Sequence, residues 1–161
     1  MAVLNIMIVS APEQIWSASF GGTGTDIATS VVNTADGGFF VVGYTDSFGA
    51  GGFDIVLLRY DSTGNLLWNK TIGGADYDFA ESVVQTSDGG FAVAGRRDVA
   101  GTNGYDAVLI KTDPAGSELW SKFYGGTGID GPWLWFKPET EDWSLQATRN
   151  PLEVEALIPS R

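Results

Sequence analysis

Four aspartates hold the strongest hint of chemistry in this chain: Asp26 and Asp54, with Asp78 and Asp106 each 52 residues further on. Carboxylates brought together by a fold can bind Ca²⁺ through oxygen, or divide the work of general acid and general base. A calcium loop, however, packs its acidic residues at alternate positions around a glycine, and these four are far apart in the chain. Asp36, Asp61, Asp88 and Asp113 recur in the same way, but each stands in a turn sequence that asks for aspartate. The recurring aspartates are therefore expected to hold structure. Asp26, Asp54, Asp78 and Asp106 remain the only candidates for a metal, and no residue is read as catalytic. The run Gly21-Gly22-Thr23-Gly24-Thr25-Asp26 has the glycines of a phosphate-cradling loop. Such a loop continues into Lys-Ser/Thr and opens a helix, whereas a β-type segment follows here and the glycine pair returns at Gly73 and Gly125. It reads as a turn between repeated units.

Composition narrows the chemistry further. The chain has no His, the commonest general base, and no Cys for a disulfide or thiolate site. No cofactor is expected. Nine Lys plus Arg against twenty Asp plus Glu leave a net charge of −11 over 161 residues, which disfavours a nucleic-acid or anionic-membrane partner and favours solubility. Arg96-Arg97 is the only basic pair in the repeats and stands where the first unit has Tyr44-Thr45, so it marks either a unit-specific contact or a solvated strand end. The N-terminal MAVLNIMIVSA is apolar, but no Lys or Arg precedes it and Asn5 interrupts it. It makes a poor signal peptide and is too short to span a membrane.

The elements that must position these residues come in a repeat. Trp16, Trp68 and Trp120 are 52 residues apart, and Trp16–Leu67 lies over Trp68–Leu119 without a gap, with 24 of 52 positions identical. A fixed period of this length signals a repeat architecture. Each unit reads as four strands, in the first unit Ala28–Thr34, Phe39–Thr45, Asp54–Tyr60 and Leu66–Ile72, rich in β-branched and aromatic residues. Asp36-Gly37-Gly38 and Asp88-Gly89-Gly90 supply glycines for tight hairpins. Asp61-Ser62-Thr63-Gly64 and Asp113-Pro114-Ala115-Gly116 read as type I turns closed by a left-handed glycine. Four antiparallel strands in about 50 residues, repeated, predict an all-β partial β-propeller: two four-stranded blades and the start of a third.

These residues carry a resemblance. Trp-x-x-x-(Phe/Ile)-Gly-Gly, then Asp26, SVVNTADGGFFVVGYTDS and GGFDIVLLRYDSTGNLLW are similar to the β-propeller repeats of large bacterial and archaeal secreted or surface proteins, over residues 16–130. The resemblance implies a non-catalytic scaffold or binding module, and a secreted or surface location for the parent protein. On this reading residues 1–15 are a degenerate strand of a preceding blade, 16–67 and 68–119 are repeats, and 120–130 open a third. Too few blades to close a ring leave edges and apolar faces uncovered, so the partners expected are further copies of the chain or the missing blades of a parent. The alternatives are a chain that oligomerises into a closed ring around a small ligand, and a fragment of a propeller enzyme.

The period breaks after Asp130, in GPWLWFKPETEDW. Reading each codon one nucleotide early restores it. Trp135 into Phe136 then gives Val at 136, the open choice at 137 is Gln, 138 becomes Thr or Ala, and 140 becomes Asp or Asn. Positions 141 and 142 each become Gly or Arg, so the hairpin Asp-Gly-Gly returns in register. Residues 131–161 are therefore read as a third unit translated out of frame, and the three tryptophans there, which could otherwise suggest a carbohydrate platform or a membrane-surface patch, call for no function.

Overall fold

In a computed structural model of the chain, the backbone is described for residues 4–10, 14–98, 104–125, 133–139, 142–149 and 152–157, and side chains for 17–98 and 104–125. The protein is all-β, with no helix among the described residues. Two strands, β1 (Leu4–Ser10) and β2 (Gln14–Phe20), form a hairpin. The next four, β3 (Asp26–Asn33), β4 (Phe39–Thr45), β5 (Asp54–Tyr60) and β6 (Leu66–Ile72), make one antiparallel sheet in chain order. β7 (Asp78–Gln85), β8 (Phe91–Asp98), β9 (Tyr105–Thr112) and β10 (Glu118–Tyr124) make a second, and β11 (Trp133–Glu139), β12 (Asp142–Arg149) and β13 (Leu152–Leu157) a third, three-stranded one.

The turns do what their residues demand. Thr34 N–H donates to the Gly38 carbonyl and Gly37 N–H returns to the Thr34 carbonyl at 2.8 Å, with Gly37 at φ 83°; Thr86, Gly89 and Gly90 repeat the pattern, with Gly89 at φ 80°. Gly64 (φ 88°) and Gly116 (φ 76°) each donate back to the aspartate three residues before, as the type I turn requires. Gly116 is also where the next sheet's turn meets the Trp68 ring, which leaves no room for a Cβ. That contact gives the Trp and Gly of the repeat a common reason to recur.

The central strands are buried on both faces. Phe40, Val42, Ile55 and Leu57 of the first sheet pack on Val83, Phe91, Val93, Val108 and Ile110 of the second, with Phe40 and Phe91 stacked at 3.7 Å. The opposite face of the first sheet, Phe39, Val41, Val56 and Leu58, is met by Ala18 and Phe20 of β2. Equivalent positions face the same way in both sheets, so the sheets stack in one sense. The stack is open at β3, where Val31 is 48% exposed; its equivalent Val83, covered by the first sheet, is 2% exposed.

The folded sheets are offset from the sequence units. β2, β6 and β10 are 52 residues apart and contain Trp16, Trp68 and Trp120, so a boundary at 67/68 cuts β6. The first sheet runs from 26 to 72 and the second from 78 to 124, and β1–β2 hold the place of the last two strands of a sheet before them. A period has no phase of its own, and Trp16 marks the middle of a strand rather than its start.

Within residues 131–161, read from the sequence as a unit translated out of frame, β11 pairs with β12, and β12 with β13. β11 lies against β7 and β8, as β7 lies against β3 and β4. Strand formation needs only residues that favour extended backbone, and Trp133–Glu139 has them. What this sheet lacks is the period: one unit on from Asp78 is 130, and from Tyr105 is 157, whereas β11 begins at Trp133 and β13 at Leu152. Asp130, Gly131, Pro132, Thr140 and Glu141, on which part of the out-of-frame reading falls, lie outside the described residues.

Candidate functional site

The two ends of each sheet differ. At one end lie the turns β3–β4 and β5–β6; at the other lie the links between sheets, the loop 46–53 and the four candidate aspartates. Asp26 is buried, and its carboxylate accepts from Gly22 N–H (2.9 Å), the Ser47 hydroxyl (2.8 Å) and the Thr45 hydroxyl. Burial pushes its pKa up, but these three bonds outweigh it and hold the carboxyl below the ordinary value. Asp78 accepts from Gly74 N–H at 2.9 Å and from Arg97 Nε at 2.7 Å. Asp54 accepts from Ala50 N–H at 2.8 Å. Asp106 is buried, and among the described residues its Oδ1 has no hydrogen-bond partner; Thr102, which corresponds to Ala50, lies outside them.

The fold brings two of the four together. Asp54 and Asp78 flank Gly73, where a Cβ would overlap Asp54 Oδ1 and come within 2.7 Å of Asp78 Oδ2. Burial first, then the like charge of Asp78, raise the Asp54 pKa against the opposing Ala50 bond and Arg97 charge. Asp26 and Asp106 sit at the neighbouring links beside Gly21 and Gly125. Among the described residues no three acidic groups gather as metal ligands. The arrangement knots the inter-sheet links: Gly73 admits the backbone between Asp54 and Asp78, and Asp26, Asp54 and Asp78 each accept a loop or link N–H.

The raised Asp54 pKa has a testable sign. A carboxyl with a raised folded pKa takes up protons on folding, so its ionisation lowers stability as pH rises above the unfolded value, 3.8. Asp54→Asn keeps an oxygen for Ala50 N–H and carries no charge. Its melting temperature at pH 7 should equal or exceed that of the parent, and the difference should shrink as the pH approaches 3.5.

The same end carries an aromatic group that the sequence reading passed over. Tyr44 meets Phe53 (5.3 Å) and Phe79 (4.8 Å) edge to face, Phe53 lies 5.6 Å from Phe79, and Phe79 lies 5.7 Å from Tyr105. Tyr77 stacks parallel to Phe79 at 6.4 Å and is 47% exposed. Arg96 lies over Phe79 at 4.7 Å and Tyr105 at 5.6 Å, with Nε 3.5 Å from Glu81. Of the basic pair, then, Arg97 binds Asp78 and Arg96 covers the rings.

At the opposite end a cation enters the core. Arg59, in the apolar strand β5 and 6% exposed, donates to the carbonyls of Phe39 (3.1 Å) and Tyr60, and forks onto both oxygens of Asp36 at 2.5 Å. Lys111 repeats this with Asp88 (3.0 Å) and the Thr112 carbonyl (2.8 Å). The Thr34 hydroxyl, with Gly38 N–H and Arg59, holds the Asp36 pKa below its usual value. Thr86 and then Lys111 bring Asp88 down to about 2. The signal in the sequence was a basic residue inside an apolar run, 23 positions after each Asp-Gly-Gly aspartate.

No family model matches the chain. It is 31% identical over 143 residues to the regulatory protein FlaEY of Caulobacter vibrioides, a match that covers 73% of this chain and 15% of that protein's length. Among the described residues, no helix is long and apolar enough to cross a membrane.

Proposed function

We propose that the chain is a run of blades from a β-propeller and acts as a non-catalytic scaffold or binding module of a larger surface or secreted protein. The reading rests on the stacking. β7, the first strand of its sheet, packs on β3, β4 and β5, whereas the fourth strands β6 and β10 keep exposed residues such as Leu67 and Leu119. Sheets that approach closely along their first strands and open along their fourth are wedges, and wedges stacked in one sense curve into a ring. The small share of the Caulobacter relative that the chain covers, and that relative's description as regulatory, fit a module that acts through what it binds.

Chains carrying increasing numbers of copies of residues 21–72, from two to about eight, test the geometry. A propeller should show one copy number at which the melting temperature jumps and the residue equivalent to Val31 becomes protected from solvent, because closure covers the open face. A straight stack would gain stability in small steps, never lose its exposed end, and refute the proposal. The uncovered Val31 and Ile27 also favour the second reading, closure by copies of the chain itself. That reading requires a single closed oligomer in light scattering and fails if the soluble chain is monomeric or heterogeneous.

A further inference from the structure

We propose that the aromatic group at the link end is a binding platform for a saccharide bearing a single carboxylate, with Tyr77 stacking on the sugar and Arg96 receiving its carboxylate. The protein supplies its own control, because the same end is built twice with different residues. Positions that the fold needs recur: Asp26 and Asp78, Gly43 and Gly95, Asp54 and Asp106, and the aromatic pair Phe53 and Tyr105. The platform positions do not. Tyr77 replaces Thr25, Phe79 replaces Ile27, and Arg96 replaces Tyr44. The first sheet is completed without an aromatic at 25 or 27 and without a cation at 44, so these three side chains of the second sheet exceed what the architecture requires.

Their geometry names the ligand chemistry. Arg96 Cζ lies 4.7 Å from the Phe79 ring centroid and 5.6 Å from that of Tyr105, and a guanidinium placed over rings in this way can still bond a carboxylate through its terminal nitrogens. Its side chain is 38% exposed, its Nε faces Glu81 at 3.5 Å, and among the described residues its terminal nitrogens make no hydrogen bond. Beside it, the half-exposed ring of Tyr77 lies parallel to Phe79. An amphipathic ring of that kind takes the C–H face of a pyranose and offers its hydroxyl to the sugar's oxygens. The exposed Asp76 and half-exposed Asp98 next to the platform are acceptors for sugar hydroxyls.

Charge limits the ligand's size. One guanidinium is offered on a chain of net charge −11, so a polyanion such as a nucleic-acid strand is repelled while a single carboxylate is matched. At 0.15 M salt the Debye length is about 8 Å, which mutes the remote acidic residues but spares direct contact with Arg96. The proposal deepens the binding-module reading. It needs only the junction of two sheets, so its failure leaves the closure experiment standing.

The test uses the full chain, a disaccharide ending in glucuronic acid as probe, and the matched glucose-ended disaccharide, free acetate and oligo-dT as comparisons. Titration is followed by tyrosine fluorescence and by NMR. Two variants borrow the first sheet's own residues, Arg96→Tyr and Tyr77→Thr, so folding should be retained, and circular dichroism checks it. The acidic disaccharide should bind at least about tenfold more tightly than the other three. Arg96→Tyr should abolish that preference, Tyr77→Thr should weaken the acidic and neutral disaccharides alike, and Glu81→Gln, which frees Arg96, should tighten the acidic one. No binding of the acidic disaccharide at millimolar concentration overturns the proposal, as does binding that both variants leave unchanged. Equal binding of acetate would reduce the site to a carboxylate contact, and preference for oligo-dT would make it a nucleic-acid surface; either result also overturns it.

Discussion

Gly43→Ala should destabilise the protein by roughly 3 kcal/mol, at the upper end of overpacking costs, and lower the melting temperature by about 10 °C. Gly43 lies in β4 opposite a bulge in β3, where the register slips between Ala28 and Ser30. The bulge brings the Ile27 carbonyl against the Gly43 Cα, so that a Cβ would overlap its oxygen and lie 2.8 Å from its carbon. A flexible side chain could move aside, but this obstacle is backbone held in a ladder on both strands. Gly95 meets Phe79 in the same way, with the slip between Ala80 and Ser82. Gly74→Ala is the control: nothing lies within 4 Å of its added Cβ, and it should change stability by less than about 0.5 kcal/mol. Thermal melts of the three chains decide the matter, and a Gly43→Ala protein as stable as Gly74→Ala would mean that β3 does not bulge toward β4.

Arg59→Met should cost about 2–4 kcal/mol, and Arg59→Lys less than about 1 kcal/mol. The ion pair to Asp36 contributes the smaller part, because the Asp36 side chain is 68% exposed and water screens it. The larger part comes from the two buried hydrogen bonds that Arg59 donates to the Phe39 and Tyr60 carbonyls, since bonds from a charged donor contribute about 1.5–3 kcal/mol. A lysine can reach the same kind of partners, as Lys111 shows with Asp88 and Thr112. Denaturant unfolding of Arg59→Met, Arg59→Lys and Asp36→Asn separates the terms. If Asp36→Asn proves as damaging as Arg59→Met, the exposed ion pair carries the weight and the argument from buried carbonyls fails.

Strands and turns were legible in the sequence because their causes are local. The left-handed glycines at 37, 64, 89 and 116 and the apolar runs between them set β4, β5 and β6 within their expected bounds, and β3 began only two residues early. The phase of the units was not legible, since a repeat read from Trp16 and one read from Asp26 have the same period, and only strand pairing shows which is a sheet. Contacts between units were the least legible. Asp54 and Asp78 stand 24 positions apart and meet only because Gly73 lets two sheets share a link. Comparing the units singled out Arg96, but not the rings of Tyr77, Phe79 and Tyr105 beside it, because which side chains meet across neighbouring strands is set by pairing and not by the period.

The offset between sequence unit and sheet bears on how such a chain changes length. The four-stranded sheets each end in a strand that the sequence repeat divides between two units, and identical stretches such as Ser-Val-Val and Asp-Gly-Gly recur at the same spacing. Recombination between two such stretches removes or adds one period of DNA wherever it occurs, and rejoins matching halves of equivalent sheets. No breakpoint within the period has to fall at a loop. Lineages can therefore gain or lose sheets by copying errors alone, with each new junction already packed, provided the error is a whole number of codons.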